Sequence, residues 1–492
     1  MYKTNRGQTS IFDNPINFIG AKLDPTNRWI QIASLIPWEL VDKKYSKQFE
    51  GSKTGNPAKT ARMALGSHII KEKYGLSDEE TVEHIKESPY LQWFIGMSEF
   101  SHKAPFDPST MTWFRKRLTP EMMVEVNGYI IGNKKSKDDD NDRDINHSSG
   151  KDDGETAGEE IKKDNKGTLI LDATCAPADI KFPTDVALLN EARGNLEEMI
   201  TDLHLKQRNG EKKPRTYKRR ARKEYLRLAR NRKPQYKAIR KAIKQQLGYV
   251  RRDLAIIEEQ LRDGVELSKR HQGRLETIRK LYSQQEEMYR EKKHQIEDRI
   301  VSISQPWVRP IVRGKANAPV EFGAKISISM VDGYASVERL DWNAYNESTT
   351  LIESLERYRE DKGFYPERIL ADKIYRTRAN LGYCKENNIR MNGPKLGRPP
   401  KDKTLYKAQC LQEKMEAGER NAVESKFGEG KRSYGLGLIR TKLKETSETS
   451  IHLTFIVMNI EKRLRVFLLS ILQTWQKAIV MPRTLNQGAL VI

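Results

Sequence analysis

A stretch with too little apolar surface to fold on its own divides this chain. Residues 134–166 hold eleven Asp or Glu and eight Lys or Arg, with Ile145 and Ile161 almost alone as large apolar residues. Burial there cannot offset the entropy of ordering, so a charged, disordered linker is expected. Its near balance of charge argues against an acidic interaction tail. With 492 residues there is room for two or three domains on either side of it.

Residues 1–133 read as a helical domain. Lys59–Tyr74 places Met63, Leu65, Ile69 and Ile70 at helical spacing and stops at Gly75. Ser77-Asp78-Glu79-Glu80 is a capping box that opens a second helix. A third starts near Ser109 and carries Trp113, Arg115, Lys116 and Arg117. Short helices with tight joints and a basic last member resemble a helix-turn-helix arrangement, with Arg115 and Arg117 as candidate DNA contacts. The bland alternative is a small bundle with a solvated basic face.

After the linker the pattern turns to strands. Thr168–Leu171 is a β-prone run that ends at Asp172, and Arg368–Ala371 is another that ends at Asp372. Lys325–Val331 and Ser336–Leu340 flank Asp332-Gly333, a strong hairpin turn. Ile389–Met391 reads as a short last strand. Helices are expected near 348–360, 376–387, 418–430 and 450–480, which gives a mixed α/β sheet with helices on its faces. This domain takes in 167–183 and 301–482, with 483–492 left as a tail. Between its first strand and the hairpin stands a helix-rich insertion, 184–300, with Leu188, Leu189, Leu196 and Ile200 on one stripe. Long helices are expected over Gln235–Leu261 and Leu267–Ile300, and Pro214 and Pro234 mark breaks.

The chain's formal charge of +22 is concentrated in this insertion. Lys206–Lys244 holds 18 Lys or Arg against two acids, a net +16 over 39 residues, with tyrosines interleaved. Such density suits a phosphate backbone better than general solubility, and Arg219, Arg220, Arg222 and Lys223 are its centre. Three cysteines without a CxxC pair, and eight scattered histidines, argue against disulfides and zinc and fit a reducing cytoplasm. The most apolar tract, Ile451–Val480, is interrupted by charges and reads as a core helix, so neither membrane nor export is indicated.

Chemistry gathers on three acids. Carboxylates at the ends of adjacent strands repel one another unless a cation lies between them. Glu424 lies in a helical stretch where Arg420, Glu424 and Lys431 share a face and Val423 and Phe427 form the apolar stripe beside it. Arg before Glu at four residues is the weaker order for a helix pair. Gly428 and Gly430 weaken the helix and would admit close approach by a ligand.

This order of strands and acids resembles the ribonuclease-H-like DDE transposases of bacterial insertion sequences, in the branch with a Tyr, Arg, Glu, Lys motif. Arg420, Glu424 and Lys431 have the family spacing, with Ala417 where the tyrosine would stand. Ala371-Asp372-Lys373-Ile374-Tyr375 is similar to the second-aspartate segment, with Ile374 for the commoner glycine, and Pro319–Ile326 and Lys395–Pro399 also look familial. The resemblance implies a ribonuclease-H-like core behind an N-terminal helical DNA-binding domain. It implies that Asp172, Asp372 and Glu424 hold two Mg²⁺ or Mn²⁺ ions. Water would first free a 3′-hydroxyl at the element's ends, and that hydroxyl would attack target DNA. Arg420 and Lys431 would grip phosphates, with Lys373 and Tyr375 as further DNA contacts. Arg398, in Gly397-Arg398-Pro399-Pro400-Lys401, resembles a minor-groove hook, although a proline-stiffened loop explains it as well. The expected partners are terminal inverted repeats, target DNA and a second copy, in a bacterial cytoplasm. A non-catalytic DNA-binding protein on the same scaffold, or a nuclease without strand transfer, is the alternative.

Overall fold

The structure, a computed structural model, describes residues 18–49, 57–132, 164–207, 212–312, 320–394 and 402–485, with side chains to 473 in the last stretch. The described residues form a mixed α/β structure, 60% helical, with a curled mixed sheet and helices on both sides of it. Most of the expected linker, the segment around Arg398 and residues 486–492 lie outside the described residues.

Among the described residues seven α-helices come first: α1 (Arg28–Ser34), α2 (Trp38–Ser46), α3 (Ala61–Tyr74), α4 (Asp78–Glu87), α5 (Pro89–Phe94), α6 (Thr110–Arg117) and α7 (Pro120–Ile130). Local chemistry sets their ends. Thr60 caps α3 by accepting the Met63 N–H, and Gly75 closes it in the left-handed conformation at φ +68°. The Ser77–Glu80 capping box forms in full at the start of α4.

The sheet begins with β1 (Thr168–Pro177), followed by the helices α8 (Asp185–Gln207), α9 (Lys218–Ala229), α10 (Tyr236–Arg262) and α11 (Lys269–Glu291). These four carry an apolar core of their own, in which Leu189, Leu196 and Ile200 of α8 meet Val250 and Ile257 of α10 and Ile278 of α11. Pro214 and Pro234 lie in the joints beside α9, as a missing N–H and a ring clash require. The last helix stops at Glu291, short of Ile300, where Lys292 turns left-handed.

Then come β2 (Arg309–Val312), β3 (Val320–Val331), β4 (Tyr334–Asp341), α12 (Leu351–Lys362), β5 (Arg368–Ala371), α13 (Arg378–Glu386), β6 (Arg390–Met391), α14 (Lys403–Ser433) and α15 (Lys444–Leu485). Asp332 and Gly333 form the β3–β4 turn with φ of +51° and +75°, both positive as a tight hairpin demands. Strand β3 runs antiparallel to β4 and β2 on one side and to β1 on the other. Strand β1 then pairs parallel with β5, and β5 with β6.

Two helical layers cover the sheet. On one face Leu169, Leu171 and Ile369 pack under Leu351, Leu355 and Tyr358 of α12. On the other, Ile326, Ile328 and Met330 pack under Val423 and Phe427 of α14 and Ile451, Phe455 and Met458 of α15. The N-terminal helices gather their own apolar cluster, and α15 takes part both in it and in the core under the sheet. Leu453, Ile456, Val457, Ile460 and Leu464 of α15 lie inside their apolar cluster. A buried amide clasp joins the two regions: Asn459 donates to Asn127 Oδ1 at 2.8 Å and to the Ala335 carbonyl at 2.7 Å.

Two expectations about α15 need correction. Its core character ends at Leu464, because Val466, Phe467, Leu468, Leu469, Ile471 and Leu472 are exposed. The helix also continues to Leu485, past the start of the expected tail. No helix among the described residues is long and apolar enough to cross a membrane.

Candidate active site

The sheet's registry decides where the acids point. Leu171 pairs with Ala371 across β1 and β5, and both face the α12 layer. Side chains alternate along a strand, so the next residues, Asp172 and Asp372, turn together to the α14 face. Only one of them ends a strand, which corrects the expectation for Asp172. Strand β5 stops at Ala371, whereas β1 runs on to Pro177 because the twelve-residue β3 pairs with it throughout. Asp172 therefore lies mid-strand opposite Ile328, at the point where its parallel neighbour gives out.

Helix α14 brings the third acid. It is far longer than the expected 418–430, since Lys403–Ala417 extend it with few buried residues to signal a helix. Val423 and Phe427 fix its rotation on the sheet. Arg368 of β5 grips Glu419 at 2.7 Å, and Arg390 of β6 pairs with buried Glu416. Glu424 is left exposed at the edge of the site. Gly430 admits a helix and not a ligand: a Cβ there would meet Leu436 at 3.2 Å and Met458 at 3.3 Å. The helix continues through both glycines to Ser433.

One guanidinium ties the arrangement together. Arg420 Nη1 lies 3.5 Å from Asp172 Oδ2, and its Nη2 lies 3.4 Å from Glu424 Oε1. The other Asp172 oxygen accepts the Ala173 N–H at 2.8 Å. Asp372 caps a short 3-10 turn, Lys373–Tyr375, by accepting the Lys373 N–H at 2.7 Å. Burial pushes the Asp172 carboxyl up to about 6, against the pull of the Ala173 N–H and Arg420. Glu347 and Asp372 push it further in the same direction. Glu347 went unnoticed in the sequence. It sits on the 3-10 turn before α12, paired with Lys325 at 2.8 Å, and no spacing pattern marks it.

Hard carboxylate oxygens without histidine or cysteine are the donors a divalent Mg²⁺ or Mn²⁺ prefers. A carboxyl raised by its own burial and by neighbouring acids is short of positive charge. The donor set fits such an ion. Among the described residues, however, no three acidic, histidine or cysteine side chains are grouped so that they could hold a metal ion. Arg420 stands between two of the three acids.

Two stretches of the chain match transposase family models. Residues 369–461 match one described as a transposase DDE domain, which takes in Asp372, Arg420, Glu424 and Lys431. Residues 18–117 match another, described as a transposase domain (DUF772). Together they point to an insertion-sequence DDE transposase. A curated relative, "Uncharacterized protein ORF8 in nfe locus" from Rhizobium meliloti, is 35% identical over 124 residues. That match covers 25% of this chain, and the chain spans 58% of that relative's length. No solved structure matches.

The remaining candidates from the sequence divide by burial. Tyr375 is fully buried beneath the site, so the expectation of a DNA contact there is corrected. Lys373 is exposed beside Asp372. Arg115 closes on Asp78 at 2.7 Å and is mostly buried, and Arg117 stacks on Phe49 at 4.4 Å. Both serve the helical core because their partners are supplied by distant turns, and Thr112, Trp113 and Lys116 are the exposed members of α6. Lys431 is partly buried near the C-terminal end of α14. On α9, Arg219, Arg220, Arg222 and Lys223 are all exposed. That helix docks on α10 through buried Ala221, whose carbonyl accepts from Gln246, and through Glu224, which accepts from Tyr249 at 3.0 Å. Arg220 also pairs with Glu224 at 3.1 Å, and the other three basic side chains stand on the exposed side of α9.

Proposed function

We propose that this chain is a DNA transposase that hydrolyses the ends of its element and joins the freed 3′-hydroxyl to target DNA. The observation that carries this reading is that Asp172 and Asp372 follow directly on the paired residues Leu171 and Ala371, with Glu424 linked to Asp172 through Arg420. The two transposase matches support it. The strand order, with a three-strand antiparallel meander joined to two parallel strands, supports a ribonuclease-H-like core.

Asp172, Asp372 and Glu424 would hold two divalent ions. Bound there, such ions would supply activation of the attacking oxygen and stabilisation of the leaving one. The chain's own groups do the rest. Backbone N–H bonds to one oxygen of each aspartate fix both carboxylates in orientation. Arg420 offers a planar fork to a phosphate and Lys431 a point charge. Helix α14, clamped by Arg368 and Arg390, keeps these groups in register with the strands. The decisive assay incubates the full chain with a duplex carrying the DNA that flanks its own gene. Strand cleavage in Mg²⁺ that EDTA abolishes, followed by joining to a second duplex, is the expected result. Cleavage without joining identifies a nuclease, and binding without cleavage identifies a non-catalytic DNA-binding protein.

The basic face of α9 would carry DNA beside the site. Replacing Arg219, Arg220, Arg222 and Lys223 together with Gln is expected to flatten the dependence of log K on log salt. Each lost phosphate contact lowers the slope by about 0.9. An unchanged slope in a folded variant would place the DNA elsewhere.

A further inference from the structure

We propose that Arg420 is an internal counter-cation of the active site, an antagonist that a divalent ion must displace from Asp172 and Glu424 on loading. The inference rests on the metal-site reading above and deepens it.

The contacts themselves point this way. Asp172 has one oxygen committed to the Ala173 N–H, and it is the other, Oδ2, that faces the guanidinium. Glu424 turns its Oε1 to the same guanidinium, which thus meets two acids brought from different elements. A divalent ion shared by these residues would need the oxygens that Arg420 faces. Both contacts are long, 3.5 and 3.4 Å. Elsewhere on the same helix Arg368 and Glu419 close to 2.7 Å. Pairs this long are held by charge more than by close hydrogen bonding, and a small dication competes for them with twice the charge. Arg420 cannot lose its proton to make room, so it has to move. It is partly exposed, with 21% of its side chain open, and lies on a helix whose backbone is fixed by other contacts. Its side chain can therefore swing without disturbing α14.

The arrangement gives the guanidinium two alternative partners. With carboxylates it offsets part of the crowding of Asp172, Asp372 and Glu347. With a phosphodiester it would leave those oxygens to the metal. Substrate and metal are then coupled through one side chain, and a site without DNA loads metal less readily.

The test is Mn²⁺ binding to the full-length chain without DNA, followed by electron paramagnetic resonance of the free ion. Arg420→Gln should bind Mn²⁺ about five-fold or more tightly than the unaltered chain, in line with ordinary coupling between sites. Arg420→Met provides a second neutral variant should Gln fold poorly. Arg420→Lys, which keeps the charge, should stay within about two-fold of the unaltered chain. Asp172→Asn should lose most of the binding. Equal or weaker affinity in both neutral variants, with Asp172→Asn still defective, would overturn the antagonism and leave the metal site standing. Equal tightening by Lys and Gln would also overturn it. Undiminished binding by Asp172→Asn would remove the metal reading itself, and the antagonism with it.

Discussion

Asp172→Asn, Asp372→Asn and Glu424→Gln are each expected to slow cleavage of a pre-bound DNA end by about 10³-fold or more, an effect of several kcal/mol on the transition state. The change preserves shape in every case and removes only charge. Asp172 gives the sharpest contrast because function and stability pull in opposite directions there. Its carboxyl is raised to about 6 chiefly by burial, so the ionised form costs the folded state free energy. The sign follows directly. The aspartate is neutral in both states below its ordinary value near 3.8; its penalty grows from there up to about 6 and stays at full size above it. In EDTA at pH 8 the asparagine variant should therefore melt at the same temperature as the unaltered chain or higher, while single-turnover cleavage in Mg²⁺ collapses. Loss of both stability and cleavage would make Asp172 a structural residue.

The second large effect is predicted at Gly323. This residue pairs with Pro177 of β1 and with Arg309 of β2, where three strands crowd together. A Cβ built there would stand 2.0 Å from the Ala176 carbonyl oxygen and 2.8 Å from the Pro177 Cα. Both are backbone atoms, which no rotamer change can move aside. Gly323→Ala is expected to cost about 3 kcal/mol or more, at the upper end for an overpacked core. Gly194→Ala in α8 is the control, since nothing lies within 4 Å of its added methyl. There the helix should gain about 0.5–1 kcal/mol from lost backbone freedom in the unfolded chain. The same substitution thus carries opposite signs, read as melting temperature and soluble yield. A Gly323→Ala chain as stable as the Gly194→Ala chain would mean that β1 and β3 do not approach so closely at that end.

Short-range chemistry was legible in the sequence and long-range pairing was not. The hairpin at Asp332-Gly333, the stop at Gly75 and strand Arg368–Ala371 all rest on residues within a few positions of one another. Where β1 ends depends on β3, some 150 residues away. The extension of α14 over Lys403–Ala417 was hidden because Leu405, Leu411 and Met415 are exposed and make no core stripe. The acids could be named from their strand and helix context, but their relation could not. That Arg420 faces two of them, and that Glu347 adds to the charge around Asp172, follows from packing alone. Arg115 and Tyr375 were misread for the same reason. A basic or aromatic residue beside a motif looks available for DNA until its burial and its partner Asp78 are seen.

The central claim is that Asp172, Asp372 and Glu424 share divalent ions, and anomalous diffraction from a Mn²⁺-loaded crystal of the full chain tests it most directly. The predicted result is manganese density bounded by those three carboxylates, with the Arg420 guanidinium withdrawn from Asp172 Oδ2. Ordered manganese bound elsewhere, with the three carboxylates unliganded and Arg420 still between them, would contradict it.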